Sequence, residues 1–498
     1  MFLHLSLLSF TNVNFKMSIP KKKIAVIWFR QDLRLHDNEA LCAALKEADE
    51  VYPVFVFDER TYKGTTRWFD FPKTGKFRAQ FVIECIADLK KSLQKLGCDL
   101  VVRTGRSEVD VFELAQKLQA SWVFCNMERT QEELSMQDSL EKKLWTIGAE
   151  MRYSRGKMLY HTQDLPFPVA HTPDVFTHFR KEVERTTKVR TPLETPSQFN
   201  TWSEKIDVGA IPTISDFGHE DFTESEAKNA QFKGGETEGL ARLKYYLWDS
   251  NLIKTYKETR NELLGLDYSS KFSPWLAQGC LSPKTIYHEI VRYEAARGAN
   301  ESTYWLFFEL IWRDFFRLMG KKYGNKIFMK GGTSGEEDSR WRNDDRLMQI
   351  WIEGRTGVPF IDANMKELSQ TGFMSNRGRQ NVASFLVKDL LINWQMGAEY
   401  FESILIDYDV CSNWGNWNYV AGVGSDPREN RYFNIITQAK RYDHDGKFVK
   451  YWLPELKSLP PEHVHQPDLM SFSEQEKYGV KLGAHYPKAM INTRKWAR

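Results

Sequence analysis

The densest set of chemically capable side chains lies in LIDYDVCSNWGNWNYVAGVGSDPRENRYFN, residues 405–434. It combines the carboxylates Asp407 and Asp409 with the amides Asn413 and Asn416, and interleaves Trp414, Trp417 and Tyr419. Its glycines allow backbone to approach a ligand closely. Upstream, MSNRGRQN (374–381) adds Arg377 and Arg379 between amides. An Arg–Asp pair is costly to bury in an apolar setting unless it holds a ligand or fixes a structure. A single such pair is ordinarily a tie between helices. Amides and aromatics clustered around it favour a ligand. A second set is YSSKFSPWLAQGCLSPKT, residues 268–285, where Ser269, Ser270, Lys271 and Ser273 offer hydroxyls, backbone N–H groups and one cation. That set suits a diphosphate at the mouth of a helix.

Such groups need a scaffold, and 498 residues imply more than one domain. Between residues 23 and 156 strands alternate with helices. KIAVIWF (23–29), VYPVFVF (51–57), DLVVRTG (99–105) and SWVFCN (121–126) read as buried parallel strands. A helical pattern over 77–96 lies between them. The fold class expected is an α/β domain with a doubly wound parallel sheet, followed by a larger all-α domain over 236–490. Residues 157–235, rich in Pro and Thr, read as a long connector. In the helical part, Thr237 is expected to cap a helix running through LARLKYYLW, and Ser282-Pro283 to open another. The runs 302–320 and 379–394 are apolar around most of their circumference, so each is expected as a buried helix.

Several function classes are excluded or disfavoured. No G-x-G-x-x-G or G-K-[ST] follows a strand, so a standard dinucleotide or P-loop site has no support. The six cysteines are scattered and no H-E-x-x-H occurs, so no metal site and no disulfide framework is expected. No apolar run reaches the roughly 18 residues of a membrane span. Net charge is +3, which argues against a generally basic coat for nucleic acid but permits a local groove. Residues 1–22 are expected to be a disordered extension, with Met17 as a natural start. The location expected is cytoplasmic, of bacterial type, unless residues 1–16 direct the chain to an organelle.

Several long motifs, in order, resemble the photolyase/cryptochrome family. These are WFRQDLRLHDNEAL (28–41), GCLSPKT (279–285), ELIWRDFFR (309–317), NRGRQNVASFLVKDLLINW (376–394) and NWNYVAG (416–422). The variants YSSKFSPWLA and YVAGVGSDPRENRYFN resemble its DASH-type cryptochromes most. The resemblance implies FAD in the helical domain. Tyr256, Ser269, Ser270, Lys271, Ser273 and Arg313 match positions at the FAD phosphates and linking chain. Asn376, Arg379, Asp407, Asp409 and Asn413 match positions around the flavin ring, with Asn413 facing N5. Trp417, Trp394 and Trp341 match an electron-transfer chain from flavin to surface, while Trp351 is taken as structural.

The resemblance also implies a DNA-lesion pocket formed by Glu309, Trp312, Gln380, Tyr419 and Arg431. Gln380 and Tyr419 stand where dimer photolyases carry Met and a second Trp. A smaller, more polar wall gives less stacking energy for flipping a base out of a duplex. Repair of cyclobutane pyrimidine dimers in single-stranded or loosened DNA is therefore expected, by a monomer without membrane contact. The alternative is a blue-light receptor with little repair. A (6-4) photolyase would need lesion-pocket histidines, and residues 376–434 contain none. An antenna, 5,10-methenyltetrahydrofolate, is implied in the N-terminal domain, with Glu133 as the carboxylate for its pterin.

Overall fold

The computed structural model describes residues 22–424 and 432–496. Five parallel strands form the N-terminal sheet in the order β3-β2-β1-β4-β5. They are β1 (Ile24–Phe29), β2 (Glu50–Asp58), β3 (Val101–Gly105), β4 (Trp122–Asn126) and β5 (Glu150–Ser154). Alternate residues of β1 serve two cores: Ala25, Ile27 and Phe29 enter one, and Ile24, Val26 and Trp28 enter the other. Burial on both faces explains the continuous apolar runs. The strand β5 was not among the four expected. It is an edge strand of sequence EMRYS with two exposed positions, so it lacks the apolar run that marks a fully buried strand. The strand order reverses between β1 and β4. A crevice at the carboxyl ends of such strands is the usual ligand position in an open parallel sheet.

The connector crosses to the helical part through the helix Phe176–Thr186. Arg34 locks the two parts together. It is almost fully buried and donates to the carbonyls of His36, Asp37, Gly156 and Gly279. Gly279 is required there: its φ is +70° and a Cβ would lie 2.2 Å from the Gln31 carbonyl oxygen. The motif WFRQDLRLHDNEAL thus supplies an interdomain tie.

At the centre of the helical part, Glu301–Tyr323 packs against Val410–Ala421 and Tyr256–Thr259. Ser282 caps Pro283–Arg297 by accepting from the Lys284 N–H at 3.2 Å. Two expectations are corrected. The helix Glu236–Lys244 starts after Gly235, and the Thr237 hydroxyl instead donates to Asp88 across the interface. The run 379–394 is not one helix. Asn376–Ser384 passes into a wider turn at Phe385–Asp389, the chain breaks at Leu391 with φ +52°, and Trp394–Ile404 begins anew under an Asn393 cap. Buried apolar residues on both sides of it, Phe385, Leu386 and Val387 before and Ile392 and Trp394 after, conceal the break. Wide turns of this kind recur near functional sites.

Candidate active site

Two adjoining compartments, of about 280 and 120 Å³, open in the helical part. Asn376, Arg379, Asp407, Asp409 and Ser412 line both, so they form one bent cavity. The larger arm is walled by Tyr256, Ser269, Ser270, Lys271, Ser273, Glu309 and Arg313. The smaller is walled by Gln380, Asn413 and Trp417. The two sequence clusters therefore meet, with hydroxyls and the helix opening at Ser273 in one arm and amides and an indole in the other.

Arg379 Nη2 donates to Asp407 Oδ2 at 2.9 Å, and its Nε donates to the Met374 carbonyl. Asp407 Oδ1 is buried with no partner among the described residues. A buried, unsatisfied carboxylate oxygen on a cavity wall needs a donor from a ligand or water. Asp409 caps Val410–Ala421 and accepts from Arg317 Nη1 at 3.0 Å. Burial alone would raise its pKa, but Arg317 and Arg313 beside it hold it down to about 2. Arg317 continues to Glu128, which pairs with Lys157. Asn413 donates through Nδ2 to the Ala398 carbonyl at 3.0 Å. Its Oδ1 is thereby disposed as an acceptor, and that bond must break for the amide to turn over.

Lys271 departs from a simple phosphate ligand. Its φ is +58°, a strained value for a residue with a side chain. The ammonium donates to the Tyr268 hydroxyl and lies 3.7 Å from the Tyr268 ring centroid and 4.5 Å from that of Phe373. Burial pushes its pKa down to about 7, against the pull of Glu367. Arg313 lines the cavity while donating to the Lys157 and Leu276 carbonyls.

Glu309, Trp312, Arg313 and Arg317 repeat at helical spacing along one face of Glu301–Tyr323. Glu309 pairs with Arg260. Burial raises the Glu309 pKa and Arg260 opposes the rise. Trp312 stacks flat on Phe176 of the connector helix, at 3.6 Å and 8°, and meets Tyr419 edge-on at 6.0 Å and 89°. Gln380 accepts from Arg377 at 2.9 Å. Arg431 lies outside the described residues.

Trp417 is buried on the cavity wall and packs against Phe401 at 5.1 Å. Its ring lies directly on Gly397, where a Cβ would come within 2.2 Å of it. Gly397 is one turn beyond Trp394 on the same helix. Trp341 approaches through the backbone: Arg342 pairs with Ile392, and the Asn393 N–H donates to the Arg342 carbonyl. Trp351 is fully buried and donates to the Val382 carbonyl.

A separate cavity of about 240 Å³ lies where the strand order reverses, walled by Trp28, Arg30, Gln31, Glu128, Glu132 and Glu133 together with Trp68 and Trp414. Glu133 accepts from the Thr130 hydroxyl, and Glu132 pairs with Lys73. Sequence reasoning missed Arg260, Arg317, Glu128 and Ser412. The signal for Arg317 was present: two arginines four residues apart with Asp314 on an otherwise apolar helix.

The fold and the bent cavity define a two-domain protein with a sheet-edge crevice in front and a dinucleotide-sized site in its helical part. Residues 25–197 match the family model described as DNA photolyase, and residues 305–498 match the FAD binding domain of DNA photolyase. "Cryptochrome DASH" of Gloeobacter violaceus is 49% identical over 94% of this chain and 93% of its own length. The protein of that name from Xenopus laevis is 46% identical over 97% and 92%. The solved Synechocystis cryptochrome superposes with a TM-score of 0.91 at 47% identity, covering 95% of this chain and 97% of its own. A class III photolyase from Agrobacterium tumefaciens gives 0.83 at 28% identity, covering 97% of each chain. The chain belongs to the photolyase/cryptochrome family and groups with its DASH cryptochromes. Its domains carry a photolyase-type function with FAD as cofactor. The residues present fit that group: the bent cavity joins a hydroxyl-rich arm to an amide- and indole-lined arm, and Asp407, whose Oδ1 has no partner among the described residues, lines both.

Proposed function

We propose that the protein repairs cyclobutane pyrimidine dimers under blue light, preferring single-stranded or loosened DNA. FAD, when bound and reduced, supplies one electron to the dimer and recovers it once two cyclobutane carbon–carbon bonds have parted. The observation that carries the reading is a pair of aromatic rings on the two helices that also supply walls of the cavity. Trp312 and Tyr419 meet at right angles; Trp312 lies three residues after Glu309, which lines the larger arm, and Tyr419 two residues after Trp417, which lines the smaller.

Trp312 offers a base one face, since Phe176 covers the other. That stacking also fixes the ring in advance, which lowers the ordering cost of binding. Glu309 holds a hydrogen bond at the pyrimidine carbonyl edge, and Arg260 orients it. Arg431 holds the phosphate between the two bases. Tyr419 and Gln380 make the opposite wall smaller and more polar than two indoles would, so less stacking energy offsets unpairing of a duplex. Trp417, Trp394 and Trp341 pass electrons inward to regenerate the reduced flavin. The pterin of 5,10-methenyltetrahydrofolate occupies the sheet-edge cavity beside Glu133. The protein acts as a monomer on single-stranded, dimer-containing DNA, in the cytoplasm or, if residues 1–16 direct it, in an organelle.

The test is repair of a dimer in single-stranded and in duplex oligonucleotide by chemically reduced protein under blue light. Faster repair of the single strand is expected. Absence of repair of either substrate overturns the reading in favour of a light receptor, whose photoreduction needs the same tryptophan chain.

A further inference from the structure

Gly397 lies buried in the helix Trp394–Ile404, behind Trp417. Its backbone is helical and outside the left-handed region, so any residue could adopt it. Inside a helix glycine is a poorer choice than alanine, so the reason for it is space. A Cβ at Gly397 would lie 2.2 Å from Trp417 Cη2, 2.7 Å from Trp417 Cζ3 and 2.7 Å from Leu386 Cδ2. Non-bonded carbons rest about 3.5–4.0 Å apart, so a single methyl group would displace the indole by roughly 1–2 Å.

The neighbouring indoles are held differently. Trp394 and Trp351 donate through Nε1 to the Lys330 and Val382 carbonyls, and Trp414 donates to Glu402. Among the described residues no hydrogen bond holds the Trp417 indole, so packing alone fixes it. Phe401, one turn after Gly397 on the same helix face, meets the ring edge-on at 5.1 Å and 81°. Leu386 is fully buried beside the same spot. The helix backbone at Gly397 closes the back. The open side is the smaller arm of the bent cavity, which Trp417 lines and Gly397 does not. An indole pushed off this seat therefore moves into an arm of only about 120 Å³.

We propose that Gly397 is a positioning residue that sets the depth of the smaller arm: its missing side chain lets Trp417 stand back far enough to admit the flavin ring of FAD. This rests on that arm receiving the ring. Gly397 itself touches no ligand and acts through Trp417. Gly415 gives the contrast. It lies on the adjoining helix Val410–Ala421, and a Cβ there would lie 2.3 Å from Phe316 Cδ1. Phe316 lines neither arm. Gly415 therefore serves the contact between two helices, whereas Gly397 serves the shape of the cavity.

The experiment measures FAD affinity by equilibrium dialysis against apoprotein, and the melting temperature of each apoprotein. It compares wild type, Gly397→Ala, Trp417→Phe, Gly397→Ala/Trp417→Phe and Asn413→Ala, with Gly415→Ala alone and joined to Trp417→Phe as controls. Gly397→Ala is expected to lower FAD affinity by about ten- to a hundredfold, the cost of overpacking converted to affinity. Phenylalanine lacks the outer ring carbons that the methyl group meets. Adding Trp417→Phe is therefore expected to bring the affinity back to that of Trp417→Phe alone. Gly415→Ala is expected to lower the melting temperature, and Trp417→Phe to leave that loss in place. If Gly397→Ala binds FAD as wild type does while Asn413→Ala binds it weakly, the inference is overturned. It is equally overturned if Trp417→Phe rescues nothing, or rescues Gly415→Ala as well. Should Gly397→Ala fold only together with Trp417→Phe, the collision with the indole stands. Should it fold in neither background, the collision is with Leu386 and the inference falls. Unchanged affinity in both Gly397→Ala and Asn413→Ala would mean that the arm does not receive the flavin; the site assignment then fails, and the inference with it.

Discussion

The two cavities are built in opposite ways. The bent cavity of the helical part draws its walls from a few contiguous stretches, chiefly 268–273, 376–380 and 407–417. The sheet-edge cavity collects residues from both domains, from Trp28 at the end of β1 to Trp414 near the end of the helical core. The first is made of local motifs, while the second exists only once the domains have docked. They are nevertheless not independent. Arg317 joins Asp409 on the first wall to Glu128 on the second, and all three side chains are buried.

That bridge supplies the largest expected effect. Arg317→Met keeps much of the volume but removes the shared cation. Asp409 loses its ion-pair partner and keeps only the charge of Arg313 nearby, while Glu128 retains Lys157. Removing one partner of a buried ion pair costs about 3–5 kcal/mol. Chemical denaturation should show a loss of that order, and absorbance should show reduced FAD retention. A stable variant that keeps its FAD would mean that the two cavities are held separately.

The next effect separates them. Asp407→Asn leaves the sheet-edge cavity untouched and removes the charge from the Arg379 pair. A hydrogen bond to a charged group is worth about 1.5–3 kcal/mol, so FAD affinity should fall by about ten- to a hundredfold. Equilibrium dialysis of FAD against apoprotein measures it. Equal FAD affinity in the variant would make the pair a tie between helices, the plain reading of any single Arg–Asp pair.

This contrast also explains what the sequence could disclose. The Ser269–Ser273 stretch and the Arg379, Asp407 and Asn413 set were legible because their spacing within short segments already places them together. Trp414 stood in the same segment and was noticed only as an aromatic. It shares the sheet-edge cavity wall with Trp68, some 350 residues away, and no local pattern signals that contact. Trp28, Arg30 and Gln31 sit in the most recognisable motif of the N-terminal domain, yet their position on a cavity wall depends on where the sheet reverses its order. The four apolar strands were readable from burial on two faces, and β5 was not, because an edge strand need not be apolar. The break before Trp394 was hidden for the opposite reason: buried apolar residues resume directly on both sides of it.

The smallest expected effect tests the one residue chosen by sequence for the sheet-edge cavity. Glu133 has a competing local role. It lies three residues after Thr130, which precedes the helix Gln131–Trp145, and the Thr130 hydroxyl donates to it. The Thr-x-x-Glu spacing is that of a capping box, but neither capping bond to backbone forms here, and the tie to the Thr130 hydroxyl alone would account for the place of Glu133. Glu133→Gln separates the roles, because an amide oxygen still accepts from Thr130 but no longer carries charge toward a pterin. Stability should be nearly unchanged and FAD retention equal to wild type. Affinity for 5,10-methenyltetrahydrofolate, read by its absorbance on titration, should fall by about 1 kcal/mol, the net worth of a hydrogen bond whose acceptor is already shared. An unchanged affinity would leave Glu133 as a partner of Thr130 alone. Recognition in that cavity would then rest on its other polar walls, where Arg30 donates to Gln137 and Glu128 is committed to Lys157 and Arg317.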